Sequence, residues 1–353
     1  MLGQFTFPKL TTLELSTPPI ESLAAPDLLD FLRASPALQT VEMKITSDIQ
    51  MGDVPQEFLI VLPNVETFSL SVNGAQIYDF AACISCPCVK RTSLIHDIDD
   101  RDVSPDAEMF PVYPLSWAAI VDQYTRSPIE DVVLEMEQDV VRYHLSSIIK
   151  YSLSFRSSDT TVLRLGFGVS NRATREDDLG MPFGEMNAKA FSQACATIRN
   201  HPSLSHLKRL RVKHRAPCLD TNCSLSMARA FGDLLGSLGP LDELVIGGDP
   251  LTYLLPFLHL VLPTYSELVF PQVKELTISG SRTGFDDPQC VDAIVGLARS
   301  QHELGIPFER MLVRSRPDPA ANLAEKLRQW VGVANWSEID LLERRTNGVN
   351  RWV

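Results

Sequence analysis

Phe7-Pro8-Lys9-Leu10-Thr11-Thr12-Leu13-Glu14-Leu15 sets a proline ahead of apolar residues in the order Pro-x-Φ-x-x-Φ-x-Φ, and the phrase returns along the whole chain. Copies read Ser35-Pro36-Ala37-Leu38-Gln39-Thr40-Val41-Glu42-Met43 and Leu62-Pro63-Asn64-Val65-Glu66-Thr67-Phe68-Ser69-Leu70. Later ones begin at Pro240, Pro271 and Pro307, and weaker ones lead into Leu94, Val132–Met136, Thr161–Leu165 and Leu207–Val212. The closing Φ-x-Φ alternates apolar with polar, the period of a half-buried strand. The proline stands outside the ladder and is expected to end the preceding helix.

Between these strands lie amphipathic segments that predict helices. Asp27–Leu32 follows Pro26, a residue suited to a first helical turn. The others are Leu115–Tyr124, Val140–Leu153, Glu185–Arg199, Ser226–Leu238, Cys290–Ser300 and Ala321–Val331. Strand then helix, repeated with right-handed crossovers, predicts an α/β solenoid of about ten units in one domain spanning 1–353, with parallel strands inside and helices outside. Trp336–Leu341 reads as a final strand. Residues 166–183 read as a flexible loop insertion, because the run Arg172–Asp178 is densely charged. No polar helix precedes residue 7, so the first unit is expected to be shortened or covered by a partner.

Of the 353 residues, 44% are hydrophobic and 22% charged, and the net charge is −12. That balance argues against nucleic acid, whose phosphates call for a basic face. No apolar run reaches the ~20 residues of a membrane span, so no membrane partner is expected. Residues 1–20 lack a secretory signal. The seven cysteines lack a disulfide-framework spacing and predict a reducing cytoplasm or nucleus. Asn222-Cys223-Ser224 and Asn335-Trp336-Ser337 then match the glycosylation sequon by chance.

The phrases at Phe7–Leu15 and Ser35–Val41, each followed by an irregular helix, resemble the leucine-rich-repeat region of the F-box proteins abundant in mushroom-forming fungi. The resemblance covers nearly the whole chain and implies a horseshoe with strands on its concave face and helices on its convex face. In that family an amino-terminal F-box docks a cullin–RING ubiquitin ligase, and the repeats select the target. Residues 1–25 hold neither the Leu-Pro-x-Glu opening nor the helices of an F-box. The resemblance therefore implies a substrate-receptor-like recognition module, with a ligase adaptor as partner only where an F-box lies upstream. The alternative is a leucine-rich-repeat scaffold unrelated to ubiquitination.

Between the two Φ positions one residue points away from the core. In chain order these are Glu14, Glu42, Ser69, Ser93, Glu135, Arg164, Arg211, Val245, Thr277 and Leu312. Arg209 and Lys213 flank Arg211 on the same alternation, so Arg164, Arg209, Arg211 and Lys213 are expected side by side on the concave face. Guanidinium groups grip carboxylate and phosphate, which makes an acidic or phosphorylated protein segment the expected partner. The competing reading is a solvated face neutralised by Glu135, Glu243 or the acidic loop.

Cys83-Ile84-Ser85-Cys86-Pro87-Cys88 with His96 is the one metal-like cluster, and the repeat accounts for Cys86 without metal, in the slot of Ser35 and Leu62. Cys218 and Cys223 are close enough in sequence for a strained disulfide, which the compartment disfavours. Gly166-Phe167-Gly168 lacks a surrounding dinucleotide-binding unit. The seven histidines are scattered, and no nucleophile elbow, zinc motif or phosphate loop is present, so neither an enzyme nor a cofactor is expected.

Overall fold

A β-turn recurs ahead of each of the first strands, and the proline sits inside it. The amide of Leu10 donates to the Phe7 carbonyl at 3.0 Å, and Leu38 to Ser35 at 3.3 Å. Val65 to Leu62 at 3.4 Å and Val89 to Cys86 at 3.2 Å repeat the bond. Each is an i to i+3 closure with Pro8, Pro36, Pro63 or Pro87 at the second turn position, where its fixed φ is already correct. The proline thus aims the chain into the strand, a narrower role than stopping a helix.

The computed structural model describes residues 7–17, 23–47, 49–52, 54, 59–72, 76–99, 116–125, 128–141, 146–157, 161–172, 183–201, 204, 206–215, 221–248, 272–280, 288–315 and 319–338. The chain divides into two compact units, Met1–Pro182 with Asn200–Leu207, and Phe183–Arg199 with Lys208–Val353, which are described in turn. Among the described residues no helix is long and apolar enough to cross a membrane.

In the first unit the long strands are β1 (Thr12–Thr17), β3 (Thr40–Ile45), β6 (Thr67–Val72), β8 (Arg91–Asp99), β9 (Ile129–Val141), β10 (Ser146–Ser157) and β11 (Val162–Arg172). They lie side by side as β1-β3-β6-β8-β11-β10-β9. Two-residue ladders join β2 (Leu23–Ala24) to β4 (Ile49–Gln50) and β5 (Ile60–Val61) to β7 (Ile84–Ser85). Helices α1 (Ala25–Arg33), α2 (Ile77–Ala82) and α3 (Ser116–Tyr124) fill the crossovers. Parallel pairing is in register from one phrase to the next, so Leu15, Met43, Leu70 and Leu94 form one row. Leu165, Leu153 and Leu134 continue it. All but the half-buried Leu15 are buried, and each fully buried leucine is worth roughly 2 kcal/mol against exposure.

The sheet is not wholly parallel. β10 pairs antiparallel with both β9 and β11, which overturns the expected helix over Val140–Leu153. Tyr151, Leu153 and Phe155 are buried and alternate with Ser152, Ser154 and Arg156, the signature of a strand. Strand β11 continues to Arg172, so the first part of the expected loop 166–183 is paired backbone; residues 173–182 lie outside the described set.

The second unit orders β12 (Arg209–Arg215), β13 (Leu241–Gly247), β14 (Val273–Ser279), β15 (Arg310–Ser315) and β16 (Val333–Glu338) in sequence, all parallel. Its helices are α4 (Phe183–Asn200), α5 (Thr221–Ser237), α6 (Pro288–Glu303) and α7 (Pro319–Leu327). Leu210, Leu244, Leu276, Met311 and Ala334 form its core row. The expected final strand starts earlier than Trp336, and residues 339–341 lie outside the described set. At the end of β13 the chain turns through Gly248 with φ +99°, where a Cβ would stand 1.7 Å from the His214 carbonyl oxygen. Only glycine fits that approach.

Helices seal the Φ side of the strands in both units. Phe68 on β6 stacks on Tyr124 of α3 with ring centroids 6.1 Å apart. The Tyr124 hydroxyl shares its proton between the carbonyls of Ala81 at 3.1 Å and Ile84 at 2.9 Å, and Gln123 donates to Ile84 as well. Side chains of α3 thus bond the carbonyl of Ala81 at the end of α2 and that of Ile84 on β7. Tyr124→Phe should cost about 1–2 kcal/mol in urea unfolding with little change in the helical circular-dichroism signal, because Ala81 loses its side-chain donor in a dry site.

Two histidines occupy core positions. His96 follows Thr92 and Leu94 inward on β8, and His214 follows Leu210 and Val212 on β12; both are buried. His214 meets Phe191 of α4 edge-on at 6.2 Å, and neither of its ring nitrogens has a hydrogen-bond partner. Burial lowers the His96 pKa to about 4 and the His214 pKa to about 3. The unfolded chain then binds protons that the folded chain refuses, so stability falls as pH drops below the ordinary histidine value near 6.5. Each should cost about 2 kcal/mol between pH 7 and pH 5. In denaturant titrations at the two pH values, His214→Leu should remove about that much of the acid sensitivity; unchanged sensitivity would show that His214 does not titrate on unfolding.

Candidate functional site: the open strand face

Strand alternation that buries the Φ rows sends the intervening residues to the opposite face, where no described helix packs. In the first unit one row runs Glu14, Glu42, Ser69, Ser93, Arg164, Ser154 and Val133. The next runs Ser16, Lys44, Ser71, Ile95, Gly166, Ser152 and Glu135. Small hydroxyl residues thus surround Arg164, while the first two strands carry adjacent carboxylates. Arg164 is half-buried, and its guanidinium donates to Ser152 Oγ at 3.3 Å, leaning across β10 toward the strand that holds Glu135.

The expected juxtaposition of four cations is redistributed by β10. Because β11 is flanked on both edges by β8 and β10, the strand bearing Arg164 has no edge left for β12. Arg164 belongs to the first unit, whereas Arg209, Arg211 and Lys213 share β12 in the second. Glu135 likewise leaves the Arg164 row, since its register partner is Ser152.

The β12 cations behave as alternation predicts, pointing one way at every second residue. Arg209 pairs across to Glu243, then Glu275, then Arg310 and Val333, so two acids stand between two cations in this row. Arg211 reaches back to Glu243 Oε2 at 3.2 Å, and Arg310 to Glu275 at 3.5 Å. One position further, Arg211, Val245, Thr277, Leu312 and Asn335 form a row with half-buried apolar side chains in it. Beyond it come Lys213, Gly247, Ser279, Arg314 and Ser337. At the second residue of β13 and of β14, the Lys274 ammonium bonds Asp242 at 2.5 Å and holds that carboxyl below its usual range.

The neutralising role foreseen for Glu243 is thus visible at Arg211. With side chains 35% and 30% exposed, the pair sits near the surface regime, where ion pairs are worth little. A double-mutant cycle on Arg211→Ala and Glu243→Ala should give a coupling of under ~1 kcal/mol that shrinks in 0.5 M salt.

Elsewhere the chemistry is structural. Cys86 opens the turn at Pro87 as Ser35 and Leu62 open theirs, and it is buried. Extended Ile84–Ser85 separates Cys83 from Cys86 by roughly three strand steps, about 10 Å between Cα atoms, beyond disulfide reach. Cys83, Cys86, Cys88, Cys195 and Cys290 are free thiols; Cys218 and the Cys223 side chain lie outside the described residues. Burial raises the Cys83 thiol, with Asp79 adding to it, and raises Cys195 well above the usual range, the opposite of what a reactive thiolate needs. On the helix side of the second unit, Arg299 lies 5.9 Å over the Trp330 ring and His302 packs edge-on against it at 5.8 Å, a stack that covers the tryptophan. A depression beside α7 is lined by the exposed Asn322, Glu325, Lys326, Arg328 and Gln329.

The sequence reading missed the inward histidines. Their signal was present: His96 and His214 each continue an every-second-residue apolar series. No family model, no curated protein and no solved structure matches this chain.

Proposed function

We propose that this chain is an irregular leucine-rich-repeat solenoid that recognises another protein on its strand face, in the manner of the substrate receptors of cullin–RING ubiquitin ligases. One observation supports this most: in both units a face of small hydroxyl residues, charges and isolated apolar side chains backs directly onto fully buried rows. Such a face is stiff, because the ladder beneath fixes every side-chain origin, and stiffness lowers the ordering cost of binding. It presents rows rather than a deep cleft, which suits an extended protein segment better than a small substrate. The partner is an acidic or phosphorylated protein segment, the setting a reducing cytoplasm or nucleus, and the role binding rather than catalysis. A ligase adaptor joins only through an F-box upstream of these repeats.

Affinity purification from the native cell with mass spectrometry tests this, using wild type, Arg164→Glu, and the triple variant Arg209→Glu/Arg211→Glu/Lys213→Glu. Because the cations fall in different units, each variant reports on one strand face. Loss of a defined set of partners from either variant is the expected result. Identical partners from all three would end the strand-face reading. Cullin or its adaptor among the partners supports the receptor role; a target without them supports a scaffold sharing the architecture alone.

A further inference from the structure

Strand β1 ends the first unit's strand order and pairs along one edge, with β3. The Thr40 amide donates to the Thr11 carbonyl at 3.1 Å, and the Thr46 hydroxyl to the Thr17 carbonyl at 2.6 Å. Alternate residues of a strand turn their backbone groups to opposite edges, so Leu13 and Leu15 also face β3. The N–H and C=O groups of Thr12, Glu14 and Ser16 face outward, where no described residue pairs with them. Side chains are left open at the same edge. Val41 and Met43 on β3 are buried, whereas their partners Leu13 and Leu15 are half-buried. On the other face of the sheet Glu14 stands beside Glu42. Both carboxylates are exposed, and among the described residues neither has an ion-pair partner. Like charges directly opposite each other destabilise a ladder.

We propose that this edge takes an added β-strand from another protein, an extended segment reading apolar-basic-apolar, with its apolar residues beside Leu13 and Leu15 and its cation beside Glu14. Each feature of the edge fixes one part of the ligand. Outward amide groups call for an extended backbone that completes the ladder. The open leucines, two residues apart, call for apolar side chains at i and i+2 on the same face. The residue between them falls on the carboxylate face. One strand step out, it stands about 5 Å from Glu14 and about 10 Å from Glu42, so the long side chain of a lysine or arginine reaches in between them. The pattern reads alike in either direction, so both parallel and antiparallel addition satisfy it. A second copy of β1 does not supply it, because the antiparallel register that aligns both leucines sets Glu14 against Glu14. This site is the edge of the sheet and is independent of what the strand face binds.

Synthetic peptides centred on Thr-Val-Lys-Val-Thr, Thr-Val-Gln-Val-Thr and Thr-Val-Glu-Val-Thr test this by fluorescence anisotropy on the full chain. Sedimentation and amide hydrogen exchange of the unliganded chain accompany the titrations. The Lys peptide should bind roughly fivefold more tightly than the Glu peptide, with the Gln peptide between them. It should also slow exchange at Thr12, Glu14 and Ser16. Glu14→Lys/Glu42→Lys should reverse the order so that the Glu peptide binds best, a gain that a misfolded chain does not show. Ser16→Pro removes one outward N–H and leaves the ladder to β3 whole; it should weaken all three peptides with an unchanged thermal melt. Equal binding of the three peptides overturns the proposal, as does an order unmoved by the charge reversal. Undiminished binding by Ser16→Pro, or no binding by wild type, overturns it as well. Self-association that Leu13→Lys abolishes assigns the edge to a second copy, and slow exchange of these amides in the unliganded monomer assigns it to the chain itself; either result overturns the proposal.

Discussion

Parallel pairing in register is the constraint from which everything else follows. When each phrase lies beside the next without slippage, residue n of one strand meets residue n of its neighbour. Leu15, Met43, Leu70 and Leu94 then become one apolar row and not four separate contacts. A slip of one residue would turn every row inside out, so burial itself locks the register. The same rule acts on the other face, where it allows no choice of partner. Glu14 must stand beside Glu42, and Arg209 beside Glu243. Charge arrangement on that face is therefore a direct transcription of one position in each phrase.

Transcription explains how much could be read from the sequence. All ten strand cores appear where alternation places them, because each contains its own period and its own apolar pair. The helices at 27–32, 115–124, 185–199, 226–238, 290–300 and 321–331 are found too, shifted at their ends by a few residues, since end positions depend on caps and neighbours. Strand β10 was misread because its first residues continue an apolar spacing that also fits a helix. Its alternation from Tyr151 to Ser157 was legible, but Val140–Leu153 also satisfies helical spacing, and only the pairing partners decide between the two.

That single reversal accounts for the displaced part of the candidate site. Reading side-chain direction along one strand is local, and Arg209, Arg211 and Lys213 fall on one side of β12 as alternation requires. Reading which strand comes next is not local. Inserting β10 puts a strand between β11 and β9, and the neighbours of Arg164 become Ser93 and Ser154. Of the acids that could neutralise the basic face, Glu243 meets Arg211 because it lies in the following phrase, where succession in the chain and succession in the sheet coincide.

The meander of β9, β10 and β11 has a kinetic consequence. Parallel strands meet only after a crossover has closed, and that closure must precede any gain from pairing. The reversed strand meets both neighbours across connections of a few residues, so its ladders carry the shortest loops in the first unit's sheet. Hairpins of this kind assemble in microseconds. Pairing in the first unit is accordingly expected to begin at residues 129–172 and spread outward through β8 toward β1, with φ-values highest at Leu153 and Phe155 and lowest at Leu15. A feature that interrupts the repeat would then be the template on which the repeat assembles.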